Sequence, residues 1–425
     1  TKTMLYAILL FAATYALMLF FPKRRPFIAL GSAVIFVVTG MLPVKLVLSY
    51  IDFNVLLMIA GTMGTVALVI ASGMPYLLSD LIVERVPNVK WAIVVLSLFA
   101  GIVSAFIDNV ATVLMIAPIA LAMAKRLNIS PVSMVISIAV SSNLQGAATL
   151  VGDTTSILLG GYAGMDFIDF FWYKGEPGMF FAVELGAVIS ALILLWLFRK
   201  DTQPVEAGKR TVVEDKVPSI LLLATVLLLI LASLFPNRPA LTNGFICVGI
   251  MIIGVVRQGI RSRSFKAMAA PLKEIDFETI GLLLGLFVVI GGITEMGVVD
   301  AVADLFTHIG GGNLFLIYTV IVFASVLISA FIDNIPYVAT MLPVVQSIAT
   351  EMGLDPTVLY FGLLSGATLG GNLTPIGASA NITGIGLLRK EGYEVKNSDF
   401  MRIGVPFTIA AVVPAYVFIW FFYGV

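Results

Sequence analysis

Apolar runs of 17 to 20 residues follow one another along the chain with only short polar interruptions, as in "MLYAILLFAATYALMLFF" (4–21), "MFFAVELGAVISALILLWLF" (179–198) and "SILLLATVLLLILASLF" (219–235). Each approaches the roughly 20 residues an α-helix needs to cross a hydrocarbon core. A β-barrel would instead alternate polar and apolar positions in segments of about ten residues. The pattern predicts continuous spans over 4–21, 27–47, 53–72, 179–198, 217–235, 240–256, 277–296 and 403–424. Two stretches, 91–125 and 313–352, read as re-entrant hairpins with a polar tip. Two more, 131–160 and 357–388, are apolar at their ends but carry Gly, Asn, Thr or Pro in the middle, and read as broken helices.

Sliding one half of the chain over the other by 225 residues aligns 104–156 with 329–381 without a gap. "SAFIDN" recurs at 104–109 and 329–334, and Pro118, Gly146, Thr149 and Gly152 fall on Pro343, Gly371, Thr374 and Gly377. This is an internal duplication. The polar stretch "RKDTQPVEAGKRTVVEDK" divides the copies, which predicts a first repeat over 1–198, a linker over 199–216 and a second repeat over 217–425. Basic residues then orient the copies. In the first, Lys23, Arg24 and Arg25 lie between spans one and two. In the second, that loop has only Arg238, and the basic residues (Arg257, Arg261, Arg263, Lys266, Lys273) lie in the next loop. Cytoplasmic loops collect Lys and Arg, so corresponding loops are expected on opposite sides of the membrane. The fold class read from the chain is an all-α polytopic membrane protein of two inverted-topology repeats. Each repeat has about five transmembrane helices plus a re-entrant hairpin and a broken helix. The termini are expected outside and the linker in the cytoplasm of a cell whose inner membrane holds the protein.

Composition supports this reading: 60% of the 425 residues are hydrophobic and 12% charged, roughly half the charged share of a soluble domain. Lys and Arg balance Asp and Glu at 25 each, so nothing points to nucleic acid. The single Cys247 excludes an intrachain disulfide, and the single His308 leaves no His cluster for a metal. "PKRRP" follows the first apolar run and no small-residue cleavage site appears, so that run reads as a span rather than a signal peptide.

The candidate chemistry lies where polar residues interrupt apolar segments. A carboxylate at membrane depth costs about 2.5 kcal/mol or more and is a functional hypothesis by default, which singles out Asp108 and Asp333 at the hairpin tips. Asn109 and Asn334 beside them are expected to cap the following helices and to line the site. The breaks "SSNLQGAATLVGDTTS" (141–156) and "SGATLGGNLTPIGASANITG" (365–384) add Asn143, Asp153, Thr154, Asn372, Thr374, Ser379 and Asn381. Unwound backbone at membrane depth survives only where protein or a cavity satisfies it, and paired interrupted helices in two repeats point to a transporter's site near the midplane. Two tips and two breaks are therefore expected to converge. Glu295 is a candidate proton carrier, whereas Asp52 and Asp276 read as helix caps and Glu184 as structural. No Lys or Arg falls within 99–124, 127–173 or 314–388, so a cation or a shared proton is expected to neutralise the acids. Asp108, Asn109, Asp333 and Asn334 are the candidate sodium ligands, and no other cofactor is expected.

At these residues the chain resembles the ion transporter superfamily over essentially its whole length. In the divalent anion:sodium symporter branch the tips carry Ser-Asn-Thr, whereas here "FIDNVATVLMIAP" and "FIDNIPYVATMLP" place Asp-Asn there. The acidic tips and "GGNLTPIGASAN" (370–381) resemble the ArsB/NhaD permease branch, with its citrate-transporter-like domain. That branch includes arsenite efflux permeases, sodium/proton antiporters and the pigmentation-linked P protein. The resemblance implies an elevator-type secondary transporter, a homodimer in the lipid bilayer, moving a small ion or oxyacid such as arsenite or silicic acid. Sodium/proton antiport and sodium-coupled carboxylate symport are the alternatives. A channel is the rival from another class. An intramembrane aspartyl protease lacks its Tyr-Asp and Gly-x-Gly-Asp wording here, so the protein is not read as an enzyme. No nucleotide-binding Gly-rich loop is present, which excludes ATP coupling within the chain and leaves an ATPase partner open.

Overall fold

The computed structural model describes residues 2–424. Among them are twenty α-helices, ten in each half, and each helix of the first half has its counterpart ten helices later. The first half comprises α1 (Lys2–Phe20), α2 (Arg25–Val38), α3 (Val44–Tyr50), α4 (Phe53–Ser72), α5 (Met74–Val83), α6 (Val89–Ser104), α7 (Asn109–Leu127), α8 (Val132–Gln145), α9 (Thr154–Ala163) and α10 (Met179–Leu197). The second comprises α11 (Val217–Ser233), α12 (Thr242–Ser262), α13 (Phe265–Lys273), α14 (Phe277–Glu295), α15 (Val298–Gly310), α16 (Leu314–Ser329), α17 (Asn334–Met352), α18 (Thr357–Gly370), α19 (Ser379–Lys390) and α20 (Asn397–Tyr423). A two-stranded hairpin, Trp172–Tyr173 with Glu176–Pro177, lies between α9 and α10.

Local signals explain why the halves punctuate alike. Asp52 and Asp276 cap α4 and α14, accepting from the amides of Val55 at 3.1 Å and Thr279 at 3.0 Å. Both helices then end at a left-handed glycine, Gly73 (φ 80°) and Gly297 (φ 78°), a conformation only glycine adopts freely. Pro118 and Pro343 sit inside α7 and α17, each removing one helical hydrogen bond.

The long helices form an all-α polytopic membrane protein. Seven of them (α1, α4, α7, α10, α12, α14 and α20) are long and apolar enough to cross a bilayer alone, and the sharply bent α15–α16 pair makes an eighth candidate. The span expected over 27–47 is instead two helices. Gly40, at φ 77°, and Pro43 interrupt it after α2, which is only 14 residues long. The amphipathic α5 and α15 were not legible as separate elements, because their apolar positions merge with those of the preceding spans.

Packing sorts the helices into two bodies. The α2 helix lies along α14, and α12 lies along α4, so each repeat completes the other's pair. In the other body α6 packs on α8, α16 on α18, and α10 on α20. At its centre all fourteen residues of α18 are buried, which is the environment that lets a helix be apolar on every face. Gly186 allows α10 to touch the backbone of α20 at Ala411.

The linker straps one end of the molecule. The amides of Val89 and Lys90 donate to the carbonyls of Gln203 and Asp201, Arg210 pairs with Glu84, and Arg257 and Arg261 converge on Asp215 at 2.8 and 2.5 Å. The loop at Pro22–Arg25 and the segment Ala270–Asp276 face one cavity at this end. Lys174 with Asp355, Arg238 with Asp166, and Tyr50 with Glu295 make a separate set of loop contacts. The hydrogen bond from Arg257 holds the Asp215 carboxyl below its ordinary value of 3.8. The strap is therefore complete at neutral pH and is lost as pH falls through that lowered value. Lys209, Arg210 and Lys216 are already exposed, so Asp215→Ala, by freeing the strap that holds them, should speed trypsin cleavage of the linker at pH 7. An unchanged cleavage rate would show that Asp215 holds nothing.

Candidate functional site

Two helix–turn–helix tips and two helix breaks meet around a cavity of about 810 Å³. The first tip joins α6 to α7 and the second joins α16 to α17. At each tip an aspartate, not the asparagine expected from sequence, caps the following helix. Asp108 Oδ2 accepts from the amides of Val110 and Ala111 at 3.1 and 3.2 Å, and Asp333 Oδ1 accepts from Ile335 at 3.2 Å. Asn109 and Asn334 become the first helical residues and turn toward the cavity.

The breaks are held to the tips in the same way twice. Thr149 donates to the Ala105 carbonyl in the first repeat and Thr374 to the Ala330 carbonyl in the second. A Cβ on Gly152 would collide with the carbonyl oxygens of Gly146, Ala105 and Ser104. One on Gly377 would meet those of Gly371, Ser329 and Ala330. Bare glycine is what lets each break lie against its tip, and it leaves several carbonyl oxygens converging there.

Buried amides join the repeats. Asn143 Nδ2 donates to the Thr368 carbonyl at 2.9 Å and to Asn372 Oδ1 at 3.1 Å, while its own Oδ1 accepts from Asn109 at 3.3 Å. Asn372 donates to the Val140 carbonyl at 2.8 Å, Asn381 donates to Asn372 at 3.3 Å, and the hydroxyls of Thr155 and Thr368 lie 3.1 Å apart. Thr368 is the repeat counterpart of Asn143, 225 residues on. A contact between a residue and its own counterpart lies on the axis relating the repeats.

Of the residues predicted from sequence, Asp108, Asn109, Asn143, Asp153, Thr154, Asp333, Asn334 and Ser379 line the cavity. Asn372 and Asn381 stand behind it in the amide web, and Thr374 ties the second break to its tip. Glu295 is not part of it. It is exposed at the C-terminal end of α14 and accepts from the Tyr50 hydroxyl at 2.6 Å. The opposite end of that 19-residue helix, at Asp276, is the one that faces the cavity. The length of the helix, about 28 Å at 1.5 Å per residue, therefore separates Glu295 from it. Asp153 is buried, and its Oδ2 has no hydrogen-bond partner. Its repeat counterpart is Ala378, so the lone carboxylate belongs to one repeat only. A second, small cavity of about 20 Å³ lies beside it, lined by Thr62, Asp108, Gly152, Asp153 and Thr154 among others, enough for one water-sized occupant.

One expectation is overturned. The acids do have a basic partner: Arg25 donates to Asp333 Oδ2 at 2.9 Å. It arrives from the start of α2, 308 residues away along the chain, which is why inspection of the hairpin and break segments missed it. "PKRRP" was the visible signal. The mouth also gathers Glu274, Asp276 and Glu278, so the cap residue Asp276 has a second role in facing the cavity. Among the described residues lining the cavity, six carboxylates stand against Arg25 alone. Among the described residues no group of three or more His, Cys, Asp or Glu is placed to hold a metal ion.

A model of the citrate transporter family matches residues 15–363 and again 261–425. An uncharacterized transporter of Mycobacterium bovis is 30% identical, the alignment covering 99% of this chain and 98% of that one. The human P protein is 25% identical over 94% of this chain and 58% of its own length. The Alcanivorax borkumensis YdaH transporter shares the fold with a TM-score of 0.59, at 13% identity over 90% of this chain and 86% of that one. Neisseria gonorrhoeae MtrF, described within a class of antimetabolite efflux pumps, superposes with a TM-score of 0.55 at 16% identity, over 96% and 84%. The chain belongs to the citrate transporter family, and with it to the ion transporter superfamily that its tips and second break resemble.

Removing the Asn143 side chain strands the partners it satisfies. Asn143→Ala should lower unfolding stability by about 1–3 kcal/mol, the cost of leaving buried polar groups unpaired, measured by denaturant titration in detergent. Gly152→Ala and Gly377→Ala should reduce folded yield, whereas Gly386→Ala, whose Cβ meets nothing within 4 Å, should not. Equal yields for all three would detach the glycines from the packing of the breaks.

Proposed function

We propose that this member of the citrate transporter family is a proton- or sodium-coupled secondary transporter whose cargo is a small neutral oxyacid or inorganic ion, of the arsenite or silicic acid kind. The observation that carries this reading is the charge of the cavity. Asp108, Asp153, Glu274, Asp276, Glu278 and Asp333 line it, with Arg25 as their one counter-charge among the described residues. A citrate trianion entering such a cavity meets like charge on most sides, at the cost of several kcal/mol. A monovalent cation is drawn in, and a neutral hydroxylated solute finds amide and hydroxyl partners in Asn109, Asn143, Thr154, Asn334 and Ser379.

Asp108 and Asp153 are the proposed coupling residues. The partnerless Asp153 oxygen, the small cavity beside it and the carbonyls converging at Gly152 offer a cation the mix of carboxylate and backbone oxygen that broken helices supply in transporters. The same feature favours a second reading, sodium/proton antiport, in which that cation is itself the cargo and carboxylates alternate between it and a proton. Sodium-coupled carboxylate symport is the weakest of the three on the charge argument.

The repeats are proposed to be inverted, the first over 1–198, the second over 217–425, with re-entrant hairpins at the two tips and the linker 199–216 in the cytoplasm of an inner-membrane protein. The facing of Pro22–Arg25 and Ala270–Asp276 on one cavity supports this, since those loops belong to different positions in the two repeats. The body of α2, α4, α12 and α14 is proposed as the static part, and hairpins with broken helices as the part that moves elevator-fashion, in a homodimer.

Asp108→Asn and Asp333→Asn should each lower coupled flux in proteoliposomes by about tenfold or more, the equivalent of ~1.4 kcal/mol, with folded yield retained. Variants with full flux and unaltered pH dependence would take the aspartates out of the mechanism. Sodium, lithium, arsenite, silicate and citrate added to the purified protein separate the readings, because a specific ligand raises apparent stability by mass action. An oxyacid shift supports the first reading, a sodium shift and sodium flux with no other solute support the second, and a citrate shift alone overturns both. In a further experiment, Lys23→Cys and Lys273→Cys should label from the same membrane face as Lys209→Cys, and Lys174→Cys from the other. Labelling of positions 23 and 273 from opposite faces would sink the inverted arrangement.

A further inference from the structure

An Arg-Pro step marks the start of the second helix of each repeat, Arg25-Pro26 as the first two residues of α2 after "FPKR" and Arg238-Pro239 shortly before α12 after "FPN". Both guanidinium groups turn back on the end of the preceding helix. Arg25 donates to the Met18 carbonyl at 3.4 Å, and Arg238 to those of Ala232 and Phe235 at 3.0 and 3.2 Å. Each then pairs with one carboxylate, Arg25 with Asp333 and Arg238 with Asp166. The pairs are equally sheltered, with side chains 23% and 16% exposed in one and 21% and 18% in the other.

The partners are not equivalent. Asp333 is a hairpin tip, whereas Asp166 lies just past α9, at the end of a broken helix. The repeat offset of 225 carries Asp333 back to Asp108 and Asp166 forward to Glu391, which lies just past α19. In the frame of the repeats, each arginine thus has a second acid, the repeat counterpart of the one that the other arginine already holds. Among the described residues Asp108 accepts only backbone amides, and Glu391 is exposed and makes no ion pair. Both arginines stand beside helices of the α2–α14 and α12–α4 body, and all four acids belong to the hairpins and broken helices.

We infer that Arg25 and Arg238 are alternating latches between the two bodies. In the conformation described, Arg25 holds the second tip and Arg238 the end of the first broken helix. In the oppositely facing conformation the partners exchange, Arg238 taking Asp108 and Arg25 taking Glu391. This rests on the alternating-access reading above. Inverted repeats that trade conformations trade contacts with them. The exchange keeps one latch of each kind in both states, so neither half-buried arginine is left with an uncompensated charge, a condition that would strongly disfavour one state. It also determines which tip is free: Asp108 is open to a cation here, and Asp333 in the other state. The arginines act as positioning residues, since they reach cargo only through the acids they release.

The test uses the full chain with Cys247→Ala in proteoliposomes and a short, cleavable bifunctional thiol reagent. Arg25→Cys with Asp333→Cys, and Arg238→Cys with Asp166→Cys, report the present pairs. Arg25→Cys with Glu391→Cys, and Arg238→Cys with Asp108→Cys, report the exchanged ones. Both sets should cross-link, and of the two pairs that keep both tip aspartates, a sodium or pH gradient that raises cross-linking at 25 and 391 should lower it at 238 and 166. The Arg25–Glu391 pair keeps both tip aspartates, so cross-linking it should stop flux and cleaving the reagent should restore it. If only the present pairs ever cross-link under gradients at which the Cys247→Ala chain transports, the latch exchange is wrong. If the exchanged pairs form while no solute is carried, the exchange stands and the transport reading falls instead.

Discussion

A helix broken inside an apolar interior releases amides and carbonyls that no water reaches, and each must find a partner in the protein. The fold is organised around that requirement. Both breaks are pinned to hairpin tips by a threonine hydroxyl, Thr149 to Ala105 and Thr374 to Ala330, and both approach those tips through a glycine, Gly152 or Gly377, with no room for a side chain. What remains polar is gathered by Asn143, Asn372 and Asn381 into one web across the repeat axis. Amides suit this place because each supplies donors and an acceptor without bringing a charge into low dielectric.

Charge then enters asymmetrically. The duplicated tips are chemically identical, yet Asp333 is paired with Arg25 and Asp108 is not. The one further buried acid, Asp153, faces Ala378 in the repeat comparison. At the tips and breaks the unpaired negative charge therefore lies with the first repeat, in Asp108 and Asp153, while the mouth acids Glu274, Asp276 and Glu278 come from the second. Buried carboxylate without a basic partner is costly unless a proton or cation accompanies it, which is the physical ground of the ion coupling proposed above.

The two packing bodies are each held together more closely than they hold one another. Each α2-type helix completes a pair with the α4-type helix of the other repeat, so that body cannot be divided along the duplication. The hairpins and broken helices centre on α8 and α18, buried almost throughout. Contacts between the bodies include polar ones, such as the Tyr15 hydroxyl donating to the Pro336 carbonyl at 2.7 Å and the Arg25–Asp333 pair. Discrete polar contacts can be exchanged as units, which close-packed apolar interfaces resist.

The chain by itself determined the features that are local or covalently repeated: the apolar helices, the 225-residue duplication, the two tips, the two breaks and the glycines that shape them. Hydropathy and spacing report these directly, because a helix and its interruptions depend on neighbouring residues. Where the reading failed, a partner came from elsewhere in the sequence. Arg25 lies 308 residues from Asp333, Glu295 stands at the far end of α14 from the cavity, and of the mouth acids Glu274, Asp276 and Glu278 only Asp276 carries a local signal, that of a helix cap. Only the docking of one helix against another decides which carboxylate is neutralised and which amides meet. That docking sums many weak packing contacts between distant segments, so no short stretch of sequence carries its signature.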